Sequence, residues 1–303
     1  MPAPRKQGGS QAVPIALLLA VTVVWGSTFV IVKAAVSHMA VMDFLAWRFG
    51  IATLAMIAVR PSALSRISRR GAWQGGVAGL LLGAGYIAQT FGLEHTSAAV
   101  SGFLTGMYVV LTPLLIGSLL RRRISLPAWT ATALAGAGLA VISLNRLGFG
   151  LGEWLTLVCA LCFALQIVAL GEWAAAHDPF ALSTVQLAAA AACCIAVAGA
   201  SGGLSPPPDL GLWAAVGATA VLATALAFLI QTWAQSRMAP TRVAIVLTME
   251  PVFAGLFAAL AGEELSWRVL VGGAMVLTAM YLVELAPSRR RSYRGGSEGS
   301  RSS

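Results

Sequence analysis

The sequence predicts an all-α polytopic membrane protein, with ten transmembrane helices forming an inverted repeat of two five-helix halves. Three observations predict it. Of 303 residues, 58% are hydrophobic and 10% charged, with a mean hydropathy of +0.82, whereas a soluble chain puts roughly a quarter of its residues into charge. The apolar residues fall into runs of about 20, the length that crosses a bilayer. The pattern around Pro113 returns around Pro251, 138 residues later, close to half the chain and so the mark of an internal duplication. Ten such runs leave no room for a soluble catalytic domain. The net charge of +9 belongs to loops beside a membrane rather than to a nucleic-acid surface.

The spans run over 14–36, 41–59, 73–92, 97–120, 126–144, 153–171, 181–200, 211–232, 242–261 and 268–286. Span 1 follows Arg5 and Lys6 like a signal peptide, but its run is too long and lacks a small-residue cleavage site, so it reads as a retained helix. Ser37-His38 and Asp43 separate it from span 2, which ends at the basic stretch from Arg60 to Arg70. Span 3 carries Gly75, Gly76, Gly79, Gly83 and Gly85, residues that let helices approach closely. Span 4 carries Leu111-Thr112-Pro113 and Gly117 and stops at Arg121 to Arg123. Span 5 is glycine-rich at Gly136-Ala137-Gly138. Span 6 contains Leu161-Cys162-Phe163-Ala164-Leu165-Gln166. Span 7 is closed off by Pro206-Pro207-Pro208-Asp209, and span 8 follows it. Span 9 repeats the layout of span 4 with Met249-Glu250-Pro251 and Gly255, then Gly262-Glu263-Glu264. Span 10 repeats that of span 5 with Gly272-Gly273. Trp73, Trp129, Trp154, Trp213 and Trp267 stand at span starts, as interfacial aromatics do.

With the N-terminus in the cytoplasm, 16 of the 20 Lys and Arg residues fall on the cytoplasmic side, and only Arg146 and Arg268 on the other. The positive-inside rule thus selects ten spans with both termini inside the cell membrane. The organisation is a tail over 1–13, a first half over 14–144, a connection over 145–152, a second half over 153–286 and a basic tail over 287–303. That last tail cannot bury an apolar face and is expected to be disordered; near anionic lipid its charges favour the membrane surface. Five spans per half is odd, so the halves enter from opposite sides, the arrangement in which carriers rock about a midplane cavity. Proline inside spans 4 and 9 frees a backbone carbonyl and kinks each helix at Pro113 and Pro251.

Ionisable groups inside a bilayer are candidates for function. Lys33 and Asp43 are close enough in sequence to pair across the first joint. Arg48 has a backbone carbonyl or Glu94 as candidate partners, or else meets substrate. Glu250 precedes the span 9 proline and suits a cation, a proton or nearby hydroxyls. Trp25, Thr28, Tyr86, Gln89, Thr105, Tyr108, Gln166 and Gln231 are the neutral candidates for a wet cavity wall, with interhelical hydrogen bonding as the alternative. Tyr86 with Gln89, and Thr105 with Tyr108, are three apart and share a helical face. Cys159, Cys162, Cys193 and Cys194 lie in apolar surroundings without acidic or histidine company, which argues for packing and against a metal or redox site. No cofactor is called for.

Trp25-Gly26-Ser27-Thr28-Phe29 with Lys33, Asp43-Phe44 through Arg48-Phe49, the Ala98 to Pro113 stretch, and Glu250-Pro251 followed by Gly262-Glu263 resemble the drug/metabolite transporter (DMT) superfamily. The closer likeness is to its EamA-domain permeases, over about residues 14–286. The resemblance implies an inner-membrane carrier of small metabolites, often an exporter. It also implies a cavity between spans 1, 3, 4, 6, 8 and 9, with spans 5 and 10 at the periphery. Span 6 departs from the span 1 motif, so an asymmetric cavity is expected.

These readings converge on a secondary transporter of small organic metabolites, amino-acid-like or drug-like, exporting by alternating access, with proton exchange as a candidate drive. A membrane enzyme and a passive channel or lipid-handling protein are the alternatives. His38, His95 and His177 are too scattered to make an enzyme's metal site.

Overall fold

Inside a bilayer each backbone N–H and C=O must find its partner within its own segment or a closed sheet, and this chain answers with helices. The computed structural model describes residues 12–121, 126–143, 150–238 and 240–285; the tail beyond 286 and most of the 145–152 connection lie outside the described residues. The helices are α1 (Ala12–Val36), α2 (Val41–Val59), α3 (Arg69–Leu93), α4 (Ala98–Thr105), α5 (Tyr108–Leu119), α6 (Leu126–Ser143), α7 (Leu151–Trp173), α8 (Pro179–Ala200), α9 (Leu210–Ala220), α10 (Ala227–Gln235), α11 (Pro240–Val246), α12 (Met249–Leu260) and α13 (Trp267–Leu285). Among the described residues, eight helical segments are long and apolar enough to cross a membrane, counting α4 with α5, α9 with α10, and the bulk of α11 with α12 as one each. The fold is therefore that of an all-α polytopic membrane protein. α6 and α13 occupy the stretches of the fifth and tenth sequence-predicted spans.

Local chemistry sets the ends. Ser97 Oγ accepts from Val100 N, Asp178 Oδ1 from Phe180 N and Ala181 N, and Asp209 Oδ1 from Leu212 N, which satisfies donors that the first helical turn leaves over. α5 and α12 stop in the same way: after Leu120 and Ala261 the chain turns left-handed, at Arg121 (φ 49°) and Gly262 (φ 88°). Glycine takes that conformation freely and arginine does not.

Three of the long segments are irregular midway. Between α4 and α5, and again between α11 and α12, the helix tightens over a 3₁₀-type turn, with Met107 N bonded to Leu104 O and Glu250 N to Leu247 O. Between α9 and α10 it loosens into a π turn, Val221–Leu226. The sequence-based expectation assigned kinks to Pro113 and Pro251 alone. The turn at Gly106-Met107 lies six residues ahead of Pro113, too far for that ring to cause it, whereas the Leu247-Thr248 turn contains the carbonyl that Pro251 has no N–H to bond, and Glu250 N takes it instead.

The helices pack in matched neighbourhoods. α6 lies along α13, α2 along α8, and α4 against α12; α3 packs on α7 and α8, while α1 packs on α10 and α12, and α5 on α7. Small residues make the close crossings. A Cβ on Gly79 would strike the Gln186 backbone of α8, one on Gly26 the Phe253-Ala254 backbone of α12, and one on Gly102 the Ala254 side chain. Trp73, Trp129, Trp154 and Trp267 are exposed on the outer surface, as interfacial aromatics are.

Candidate functional site

The irregular turns converge on a partly open pocket of about 420 Å³, counting the space at its mouth. Its wall comes from α1, α3, α5, α7, α10, α12 and the Leu247 turn, and among the described residues none of α6 or α13 lines it. The lining repeats itself. Trp25, Thr28 and Phe29 on α1 have the spacing of Phe163, Gln166 and Ile167 on α7, and Tyr86 and Gln89 on α3 have that of Phe228 and Gln231 on α10. Tyr108 and Glu250 complete the polar wall.

Aromatic rings form one side. Tyr86 meets Phe163 at 5.2 Å and Phe228 at 6.0 Å between centroids, and Trp25 meets Phe228 at 5.2 Å, distances typical of tilted and edge-on pairs. The Trp25 indole N–H donates to Ala223 O at 2.7 Å, a carbonyl in the π turn. Such turns put backbone carbonyls out of the regular ladder, so the irregularity and the indole explain each other.

Arg48 stands behind Tyr86. It is 1% exposed, donates from Nε to Thr224 Oγ1 at 2.7 Å and from Nη2 to the Tyr86 hydroxyl at 3.4 Å, and lies 4.6 Å from the Tyr86 ring centroid. Thr224 in turn donates to Thr219 O, five residues back. Neutral oxygens and a ring face thus hold the buried cation. No carboxylate lies within ion-pair distance of it among the described residues. The expected pairing with Glu94 is therefore corrected: Glu94 is at the exposed C-terminal end of α3, while Arg48 points into the bundle.

The Tyr108 hydroxyl lies 3.0 Å from Leu247 O and 3.1 Å from Glu250 Oε2. Leu247 O is the carbonyl that residue 251 would bond were it not proline; it accepts instead from Glu250 N at 3.0 Å, and the Tyr108 hydroxyl of α5 adds a second donor. Glu250 is 5% exposed and is the one acidic residue in the wall. Gln89 Nε2 donates to Thr105 Oγ1 at 3.1 Å. Thr105 itself is fully buried behind the wall, so of the Thr105 and Tyr108 pair only Tyr108 faces the cavity.

Lys33 is not at the cavity, and its expected partner is also corrected. Its Nζ lies 3.1 Å from Glu263 Oε1 rather than pairing with Asp43. Glu263 accepts as well from Ala98 N at 3.0 Å and Ala99 N at 3.2 Å. Another ion pair joins Arg60 Nη1 to Asp178 Oδ2 at 2.9 Å. Partial burial pushes both carboxylates up, but backbone donors and the basic partner outweigh it. Ala98, Lys33 and Ala99 hold Glu263, and Ala181, Phe180 and Arg60 hold Asp178, below the ordinary range.

Of the sequence-predicted residues, the structure brings Trp25, Thr28, Tyr86, Gln89, Tyr108, Gln166, Gln231 and Glu250 to one cavity, sets Arg48 and Thr105 directly behind it, and leaves Lys33 apart. Phe163, Phe228, Thr224 and Glu263 were not singled out as site residues. Aligning span 6 on span 1 would have found Phe163, because it stands to Gln166 as Trp25 does to Thr28. Among the described residues no group of three or more His, Cys, Asp and Glu side chains could hold a metal, and the four cysteines are free thiols.

Comparison with known proteins agrees with this architecture. The model of the EamA-like transporter family matches twice, over residues 13–144 and 150–285. An "uncharacterized transporter" of Archaeoglobus fulgidus is 30% identical over 297 residues, spanning 93% of this chain and 90% of that protein. A solved crystal structure shares the fold with a TM-score of 0.70 at 19% identity, covering 91% of this chain and 98% of the other. A bundle of apolar helices around a pocket of aromatic, amide and hydroxyl side chains suits carriage, and the chain belongs to the EamA-like transporter family, whose work is moving small molecules across a membrane.

Proposed function

We propose that the protein is an alternating-access secondary transporter that exports small organic metabolites across the cytoplasmic membrane, built as two inverted five-helix halves over 14–144 and 153–286. The observation that carries this reading is the cavity wall itself. Its residues come in matched pairs from the two halves, Trp25 with Phe163, Thr28 with Gln166, Tyr86 with Phe228 and Gln89 with Gln231. The family match to each half supports it, as do the neighbourhoods that map onto themselves when the halves are exchanged: α3 on α7 answers α1 on α10, and α5 on α7 answers α1 on α12. The distribution of basic residues supports ten spans with both termini inside.

The symmetry ends at Glu250. A single carboxylate beside the Tyr108 hydroxyl, in a wall otherwise aromatic and amide, suits a small amphipathic or zwitterionic molecule and a proton exchanged against it. Arg48 braces Tyr86 from behind, a buried positive charge just outside the wall.

The test compares metabolite pools inside and outside cells producing the native protein, Arg48→Ala and Glu250→Gln at matched membrane abundance. A compound that leaves faster only with the native protein names the cargo. Glu250→Gln is expected to keep exchange of labelled for unlabelled cargo but to lose its response to a pH gradient. Downhill leakage without counterflow would favour a passive channel, and an unchanged pool under every feeding and pH condition would overturn export.

A further inference from the structure

Three glutamine amides from three helices stand in file behind and within the cavity wall. Gln231 Nε2 of α10 donates to Gln166 Oε1 of α7 at 3.4 Å, and Gln166 Nε2 donates to Gln186 Oε1 of α8 at 3.1 Å. All three side chains are buried. Gln231 and Gln166 line the cavity, whereas Gln186 does not. The two ends of the file have no hydrogen-bond partner: Gln231 Oε1 at the cavity end and Gln186 Nε2 at the far end.

That leftover pair follows from amide chemistry. Each amide has a donor side and an acceptor side, so a file bonded head to tail ends in one free acceptor and one free donor. Turning all three amides over together keeps both internal bonds and reverses the file. Gln231 Nε2 then becomes a free donor at the cavity, and Gln186 Oε1 the free acceptor behind it. The amide oxygen and nitrogen are of nearly equal size, so both directions fill the same space. An unmet buried polar atom is costly; Gln231 Oε1 is itself covered by its neighbours, but its side chain lines the cavity, so a ligand that displaces that cover can meet it in either direction.

We propose that Gln231, Gln166 and Gln186 form a reversible amide relay that sets the hydrogen-bonding polarity of the cavity wall. The site then accepts small molecules presenting either an N–H or O–H donor or a carbonyl or ring-nitrogen acceptor. Gln186 is a positioning residue: it never touches the ligand and fixes which face Gln231 shows. This rests on the cavity being the binding site, and the experiment separates the two claims.

The probes are indole, which offers a donor and no acceptor, and quinoline, a bicycle of similar size that offers an acceptor and no donor. Affinity is read from the rise in unfolding temperature of the purified, detergent-solubilised protein. The native protein is expected to bind both, with affinities within about tenfold of each other. In Gln186→Met a thioether of similar length accepts weakly and cannot donate, which holds Gln166 Nε2 toward residue 186 and leaves Gln231 Oε1 facing the cavity. Indole affinity is then retained, while quinoline affinity falls by about fivefold to tenfold, the loss of one hydrogen bond. A merely structural role for Gln186 would weaken both probes together, and that outcome, or an unchanged ratio, overturns the relay. Gln231→Met is expected to remove the preference and weaken both probes. If that substitution leaves both affinities untouched, or the native protein binds neither probe, the cavity reading falls and the relay with it.

Discussion

A single carboxylate, Glu263, ties together three stretches far apart in sequence: the end of α1 through Lys33, the start of α4 through Ala98 N and Ala99 N, and its own turn after α12. The charge of Lys33 was legible in the sequence, but its partner was not, because Asp43 lay ten residues away and Glu263 lay 230 away. Nearness in sequence is a poor guide to pairing where helices return to the same membrane face several times. The tie has a pH signature. The folded Glu263 pKa lies below the ordinary value, so the folded state binds fewer protons than the unfolded chain in that range. Its stabilisation is complete above the unfolded glutamate value, about 4.3, and is lost as pH falls through the lowered folded value. Unfolding temperature measured from pH 7 down to pH 3 should therefore drop less steeply in Glu263→Gln than in the native protein. At pH 7 the ion pair itself contributes less than about 1 kcal/mol, since both side chains are partly exposed.

At the scale of elements, the apolar runs gave helix positions well, because hydropathy and length are strong constraints in a bilayer. The irregularities that make the cavity were harder to read. Pro251 announced a carbonyl released from the regular ladder, and Glu250 N and the Tyr108 hydroxyl share it. The π turn had a subtler signal in Thr219 and Thr224, five apart and bonded across the wide turn, which no amphipathic pattern would reveal. That turn joins the halves by accepting Trp25 Nε1 at Ala223 O and Arg48 Nε at Thr224 Oγ1. Replacing Thr224 by Val keeps the shape but removes the acceptor of a fully buried cation, a change expected to cost about 1.5–3 kcal/mol. Thr224→Ser, which keeps the hydroxyl, should recover most of that. Equilibrium unfolding in detergent of the two variants beside the native protein measures the difference. Equal stability of Thr224→Val and Thr224→Ser would mean that the π turn persists for reasons of backbone packing alone.

At the scale of the whole molecule, the Lys33–Glu263 and Arg60–Asp178 ion pairs have one property in common: each joins the first half to the second. Lys33 and Glu263 do so beside the end of α1, Arg60 and Asp178 beside the end of the following helix α2, and in the proposed topology these ends lie at opposite faces of the membrane. Each carboxylate also accepts from the first N–H groups of a helix in one of the halves, α4 or α8. The duplicated layout was visible from the sequence, but this pair of ties was not, since each depends on how the halves meet. Under the proposed alternating access the two faces open in turn, so each tie would break once in every cycle. A short, reducible bifunctional thiol reagent joining Lys33→Cys to Glu263→Cys, in a background with the four native cysteines changed to Ala, should hold one face shut and stop transport. The same bridge between Arg60→Cys and Asp178→Cys should hold the other face shut and stop it equally. Reductant should restore both. Binding should survive in each locked form, because the cavity still opens to the free side, and this distinguishes a blocked cycle from a damaged site. Transport that continues at the native rate through either bridge would mean that the halves do not part at that face, and rocking of the two halves would have to give way to a motion within one of them.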